Sequence, residues 1–199
     1  MIWAGEILVS PGKPAAGERA VNGCRVWDPS RSKLAALYHL GDGPDLIATM
    51  RVLYLGASYG TTVSHVADYV EVVYAVDSAS RPMQDLLRLC SHRKNIIPLL
   101  ADAAHPERYM ALVEKVDLVY QDIAQRDQAG IAIKNLHFLR PGCSCILMLK
   151  TRSIDVKRPP AEICAETVQW LSPFFRSVAT TWLLPYHQDH AAIVCEGLI

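Results

Sequence analysis

A chain of 199 residues, 51% of them hydrophobic, can bury one sizeable core and carry a small appendage. Twenty basic residues balance twenty acidic ones. That balance excludes a protein that grips nucleic acid through its overall field, so any such contact must be local or come through a partner. No apolar run reaches the roughly 18 residues of a membrane span, and the N-terminus lacks the basic and apolar stretches of a secretory signal. The six cysteines form neither a CxxC pair nor a zinc-spaced cluster with histidine. We expect an intracellular, cytoplasmic protein without metal or membrane contact, its cysteines serving as small reduced hydrophobes.

Residues 1–28 are rich in turns, at Pro11-Gly12, Ala16-Gly17, Asn22-Gly23 and Asp28-Pro29. Apolar stretches at Ile7–Val9 and Cys24–Trp27 fit short strands, which predicts a small N-terminal β appendage. Ser30 to about Leu40 predicts a helix capped by Ser30 or Ser32, and Gly41-Asp-Gly-Pro44 then breaks the chain. We divide the sequence into 1–48, the appendage with its connecting helix, and 49–199, the main domain. From residue 49, strands are predicted at Val52–Leu55, Val72–Val76, Ile96–Leu100, Val116–Gln121, Cys145–Leu149, Ser177–Leu184 and Ala191–Glu196. Helices are predicted between most of them, at Thr61–Asp68, Arg81–Ser91, Pro106–Lys115, Asp127–Phe138 and Ala161–Leu171. Strand–helix alternation gives parallel strands joined by right-handed crossovers. Only Pro185–His190 separates the last two strands, too little for a crossover, so they form an antiparallel hairpin. The predicted fold is α/β, a Rossmann-like, mostly parallel seven-stranded sheet closed by a C-terminal hairpin. It resembles the class I S-adenosylmethionine-dependent methyltransferases more than the nicotinamide dehydrogenases.

Residues 51–62, Arg51-Val-Leu-Tyr-Leu-Gly56-Ala-Ser-Tyr-Gly60-Thr-Thr62, run from an apolar strand through a glycine turn into a helix start. Gly56 and Gly60 permit tight turns and close approach of a ligand, and ligands of open α/β sheets lie beyond the carboxyl ends of the strands. Asp77 ends the second strand, 21 residues after Gly56, where a carboxylate can accept hydrogen bonds from ribose hydroxyls. Asp102 ends the third strand. Its carboxylate can accept from an adenine amino group while the Ala103 N–H donates to the ring. Each aspartate alone is as readily a helix cap, but three signals on successive strand ends point to an adenosine-bearing ligand. Ser58 replaces the second glycine of G-x-G-x-x-G. That departure disfavours the diphosphate of NAD and is harmless to S-adenosylmethionine, which has no phosphate.

Collinear motifs then cover residues 24–195. They are Arg31-Ser-Lys33-Leu-Ala-Ala36, Val52-Leu-Tyr-Leu-Gly-Ala57, Gly60-Thr-Thr-Val-Ser-His-Val66, Tyr74-Ala-Val76, Pro98-Leu-Leu-Ala-Asp-Ala103, Asp122-Ile-Ala-Gln125, Lys150-Thr-Arg-Ser-Ile-Asp155, Pro185-Tyr186 and Asp189-His190. Together they resemble fibrillarin, most closely its archaeal form, without the glycine/arginine-rich tail of nucleolar relatives. The resemblance implies 2′-O-ribose methylation of rRNA or tRNA with S-adenosyl-L-methionine as donor. It implies a box C/D ribonucleoprotein in which a guide RNA selects the substrate RNA, with a scaffold protein and a kink-turn-binding protein as partners. It also implies a Lys-Asp-Lys-His catalytic set, which by motif is Lys33, Asp122, Lys150 and His190. The donor site maps onto Gly56, Ala57, Gly60, Thr61, Thr62, Asp77, Asp102, Ala103, Asp122 and Gln125.

These residue types suit the chemistry. A ribose hydroxyl is a poor nucleophile until its proton is lost or polarised, and a lysine serves as base only through its neutral form. We assign Lys150 as base candidate with Asp122 orienting it, Lys33 to charge on the oxygen or to phosphate, and His190 to completing the set. Arg25, Arg31, Lys33, Arg152, Lys157 and Arg158 are candidates for a phosphate-facing rim. Tyr59 stands inside the glycine turn, where its ring can cover or crowd the donor. Two other readings stay open: a donor-binding scaffold subunit with little activity, and a methyltransferase acting on another substrate such as protein glutamine.

Overall fold

A computed structural model describes residues 1–14 and 18–199. The Ala16-Gly17 turn lies outside the described residues. Strands β1 (Ile2–Ala4), β2 (Ile7–Ser10), β3 (Ala20–Val21) and β4 (Cys24–Val26) form an antiparallel sheet in the order β1-β2-β4-β3. Asn22 and Gly23 take φ of 52° and 78° between Val21 and Cys24, which face each other. This pair of positive φ values is what an Asn-Gly hairpin turn requires. Helix α1 (Lys33–His39) follows, and of the two candidate serines Ser32 is its cap, accepting from the Ala35 N–H. Ser30 belongs instead to the preceding turn, where its N–H donates to the Asp28 carboxylate at 2.8 Å.

The main sheet is built from β5 (Arg51–Leu55), β6 (Val72–Asp77), β7 (Ile96–Leu100), β8 (Val116–Gln121), β9 (Leu139–Lys150), β10 (Phe175–Trp182) and β11 (His190–Leu198). Between them run α2 (Thr61–Ala67), α3 (Ser80–Cys90), α4 (Gln128–Asn135), α5 (Thr151–Ile154) and α6 (Pro160–Leu171). The strand order is β10-β11-β9-β8-β5-β6-β7. Strands β9 to β7 are parallel, and β11 runs antiparallel to both its neighbours. The predicted seven-stranded, mostly parallel sheet with its hairpin is therefore the observed one. The chain winds outward from β5 in both directions, which makes the carboxyl ends of β5 and β8 the crevice where ligands of such sheets bind.

The helix predicted over Pro106–Lys115 does not form. A single 3₁₀ turn covers Pro106–Arg108, and Tyr109 leaves helical geometry at φ −131°, ψ 5°. Tyr109 is buried, stacks on Phe138 at 5.6 Å and donates to Asn135 Oδ1 at 2.6 Å. Fixing this side chain and then Val113 in the core, through successive turns, prevails over the helical spacing of the sequence. The helix predicted over Asp127–Phe138 is α4, tightened at its end into a 3₁₀ turn over Leu136–Phe138.

Alternate residues of β5 serve opposite faces of the sheet. Val52 and Tyr54 pack with Leu8, Trp27, Leu34 and Leu37, so the small sheet and α1 share a core with one face of the main sheet. Leu53 and Leu55 pack on the other face with Ile131, Leu147 and Leu149. Arg25 corrects an expectation. It lies between the small sheet and α2, 1% exposed, and cannot belong to a phosphate-facing rim. Its guanidinium pairs with Glu18 and Asp68, each at 2.7 Å, and donates to the Ser64 carbonyl and hydroxyl. A buried guanidinium is tolerated when its donors are met in this way. Beside it, burial and then the Arg25 charge push the His65 pKa down to about 3, so the ring is neutral, stacked on Trp27 and bonded to Ser10 Oγ.

Candidate active site

Leu55 ends β5 and the chain turns at Gly56, φ 88°. A Cβ at this position would overlap the Asp122 backbone, so glycine alone lets the ends of β5 and β8 lie this close. Ser58, in place of the usual glycine, still takes a left-handed φ of 48°. Its N–H donates to Asp77 Oδ2 at 2.7 Å, and the Ala79 N–H donates to Asp77 Oδ1 at 2.8 Å. Asp77 thus ties the turn to the start of α3, and a carboxylate with about four acceptor positions has two left for ligand hydroxyls. Gly60 opens α2 at φ 82°, the left-handed region that favours glycine, and a Cβ there would also press on the ends of Leu86 and Leu89.

Two adjoining lobes lie beyond these strand ends. The first, about 340 Å³, is lined by residues including Gly56, Asp77, Ala103, Asp122, Gln125 and Lys150. Asp102 stands between the wall residues Ala101 and Ala103. Its Oδ1 accepts from the Ala104 N–H at 2.9 Å and from Gln125 Nε2 at 3.0 Å. Those two bonds, with burial opposing, hold its carboxyl below the ordinary carboxylate range. The second lobe, about 260 Å³, adds Arg31, Lys33, Tyr54, Ala57, Tyr59, Thr61 and Thr62 to the shared Gly56, Asp122 and Lys150. Tyr59 is half exposed on this second lobe.

Asp122 and Lys150 stand where the lobes meet. Asp122, one residue past β8, accepts from Lys33 Nζ at 3.0 and 3.1 Å and pairs with Lys150 Nζ at 2.8 Å. Lys150 Nζ also donates to the Asp122 carbonyl at 3.3 Å. The three side chains are only 15–20% exposed. Burial acts to raise the Asp122 carboxyl, but Lys33 and then Lys150 prevail and hold it below the ordinary range. Two ammonium groups on one carboxylate leave the cluster with an excess of positive charge. His190 opens β11 directly across from Lys150. A carbonyl can only accept, so the 2.7 Å contact with the Gln188 oxygen places the proton on Nδ1 and the lone pair on Nε2. Burial lowers the His190 pKa, the Gln188 bond opposes this, and Lys33 and Lys150 add to the lowering. The structure therefore brings Lys33, Asp122 and Lys150 into contact, with His190 beside Lys150 and bonded elsewhere.

Two further residues serve this site without a motif to announce them. His187 Nε2 donates to the Pro29 carbonyl at 2.9 Å, tying the β10–β11 loop to the segment that leads into α1. Gln128 bonds the backbone of Lys150 twice, accepting from its N–H at 3.0 Å and donating to its carbonyl at 3.1 Å. Of the expected rim, Arg152 pairs with Asp189 at 3.0 Å, Arg158 pairs with Glu166 at 2.8 Å, and Arg31 faces the second lobe.

The sequence profile of the fibrillarin family matches residues 8–197. The chain belongs to the fibrillarin family. Among its relatives, the fibrillarin-like rRNA/tRNA 2′-O-methyltransferase of Methanoculleus marisnigri is 60% identical over 197 residues, covering 98% of each chain. The protein of the same name from Methanospirillum hungatei is 47% identical, covering 97% of this chain and 94% of its own. A fibrillarin solved in complex with Nop5p superposes with a TM-score of 0.92 at 43% identity, covering 96% of this chain and 94% of its own. Aeropyrum pernix fibrillarin, solved with natively bound S-adenosyl-L-methionine, superposes with a TM-score of 0.81 at 39% identity, covering 94% and 85%.

Proposed function

We propose that this fibrillarin-family protein transfers the methyl group of S-adenosyl-L-methionine to ribose 2′-hydroxyls of rRNA or tRNA within a box C/D ribonucleoprotein. The observation that carries the reading is the Lys33–Asp122–Lys150 cluster at the junction of two lobes, one suited to an adenosine and one open to a second reactant. Curated relatives that align along nearly the whole chain carry the same activity in their names. The first lobe has the size of a small-molecule site and the features a sulfonium nucleoside needs. A glycine turn gives close approach, Asp77 has acceptors to spare, and Ser58 stands where a diphosphate would want glycine.

The donor, when bound, supplies a methyl group made electrophilic by a positively charged sulfur. Asp77 holds the ribose hydroxyls, while Asp102 and the Ala103 N–H meet the adenine edge. Gly56 and Gln125 shape the remaining wall of that lobe, whereas Ala57, Thr61 and Thr62 of the expected donor set line the second lobe and Gly60 opens α2 beside it. In the second lobe Lys150, neutral after releasing its own proton, takes the proton of the ribose hydroxyl. The Lys33 charge and the donor's sulfonium favour that neutral form, while Asp122 opposes it and keeps the amine aimed at the junction. Lys33 faces the charge that develops on the oxygen or the adjoining phosphate, and His190 offers its Nε2 lone pair at the same corner. Fixing two reactants at such a junction is worth about 7–11 kcal/mol of barrier in good cases. A general base adds about 10²–10⁴-fold.

Zero net charge leaves sequence selection to pairing with a guide RNA and placement to a scaffold of the Nop5p kind with a kink-turn-binding protein. Among the described residues no helix is long and apolar enough to cross a membrane. Within this proposal residues 1–48 carry Lys33 to the site and 49–199 hold the donor. Single-turnover methylation in the reconstituted complex, with nucleoside analysis of the product, tests the reading. We expect 2′-O-methylated nucleoside from the wild type and at least a hundredfold slower formation by Lys150→Ala, the scale of a lost general base. Donor binding without product would make the chain a scaffold subunit, and methylated glutamine would move the substrate from RNA to protein.

A further inference from the structure

We infer that Gln128 is a positioning residue for this reaction, its side-chain amide fixing the Lys150 backbone so that the Lys150 ammonium meets Asp122. The β8–β9 ladder is recorded as far as Gln121 opposite Leu147. Strand β8 ends there, and the Asp122 N–H completes its ladder with β5 on the other side, donating to the Leu55 carbonyl at 2.8 Å. Lys150 is therefore past the end of that ladder, with His190 on its other side. It is also the last residue of β9, at φ −105°, ψ 89°, and α5 begins at the next residue. A half-buried N–H and C=O at such a junction need partners, and here both are supplied by one side chain. Gln128 Oε1 takes the N–H and Nε2 gives to the carbonyl.

The amide is itself held. Gln128 is 1% exposed on the first residue of α4, and the fully buried Gln121 donates Nε2 to the Gln128 carbonyl at 2.7 Å. Gln121 immediately precedes Asp122, so one chain of bonds joins the backbones that carry the carboxylate and the amine. An amide is the one side-chain group that offers a donor and an acceptor side by side at this reach. A carboxylate would face the Lys150 carbonyl with a second acceptor, and a thioether would leave both backbone groups unmet. Both hydrogen bonds from the Gln128 side chain to Lys150 go to its backbone, so it acts on the cluster by placement.

The inference rests on the proposed methyltransferase reading, and the test separates the two. Gln128→Met and the shorter Gln128→Asn are compared with wild type and Lys150→Ala in the reconstituted ribonucleoprotein, by single-turnover rate across pH. Donor affinity by calorimetry, melting temperature, and NMR titration of the Asp122 carboxyl are measured on the full-length protein. We expect Gln128→Met to slow methylation by about 10- to 100-fold, the cost of a misplacement near 1 Å, with the donor Kd within about twofold. The Asp122 carboxyl should titrate at higher pH than in wild type, because a displaced Lys150 no longer stabilises its charge. Wild-type rate and unchanged Asp122 titration in both variants overturn the inference. So does a rate loss that vanishes when the proteins are compared at equal distance below their melting temperatures. If wild type gives no 2′-O-methyl product, the functional reading fails, while the Asp122 titration still decides whether Gln128 places Lys150.

Discussion

Asp122 bears two lysines on one carboxylate, and the consequences can be measured separately as rate and as stability. Asp122→Asn leaves two ammonium groups side by side without a counter-charge, so we expect methylation to fall by about 10²-fold or more, read by single-turnover assay. In the folded protein the carboxyl titrates below its ordinary value near 3.9. Its contribution to stability is therefore complete above that value and is lost as pH falls through the lower, folded one. Urea unfolding between pH 6 and pH 2 should show wild type losing stability below about pH 4 more steeply than Asp122→Asn. Lys33, Asp122 and Lys150 are legible in the sequence through the motifs shared with fibrillarin, and each stands where a strand closes or a helix opens. Gln128 is not, because its bonds are to the backbone of a residue 22 positions away. Arg25 reads as a surface charge until Glu18 and Asp68 are placed around it.

At the scale of elements, α1 is the delicate part, since its first residue is Lys33. Ser32 Oγ caps the helix, accepts the Trp27 indole N–H at 3.0 Å, and takes a hydrogen bond from the Thr62 hydroxyl at 3.0 Å. One hydroxyl therefore joins α1 to both the small sheet and the start of α2. We expect Ser32→Ala to cost about 2–4 kcal/mol, a lost cap together with a buried indole left unpaired, measured by urea denaturation. The methylation rate should drop as well, because the base of α1 is no longer anchored. The strands were legible because apolar residues alternate or run together as buried strands must. The stretch 106–115 misled because Tyr109 and Val113 have helical spacing, and nothing local reveals that Asn135 waits for the Tyr109 hydroxyl.

Over the whole molecule, the small sheet joins the main one through shared apolar core and through Arg25, Asp68 and their partners. Arg25→Ala takes from the buried Asp68 the nearer of its two arginines and leaves it with Arg93 at 3.1 Å, and we expect a loss of about 1–3 kcal/mol in unfolding free energy by urea titration. With no net charge, the isolated protein should bind RNA no better than non-specific affinities of about 10⁻⁴–10⁻⁶ M at physiological salt, as read by fluorescence anisotropy. Affinity must then be gained on assembly. The strand order holds one more consequence, for the way the protein is made. Strand β11 sits between β9 and β10, yet it is the last of the three to leave the ribosome. While residues up to 182 emerge, β9 presents an open edge and β10 has no strand to pair with, the condition in which nascent chains are prone to wrong partners. The corner formed by Lys150 and His190 closes only when β11 slides into that gap, so a chain stalled before residue 190 holds the first lobe's strands but cannot assemble the complete set of proposed catalytic residues.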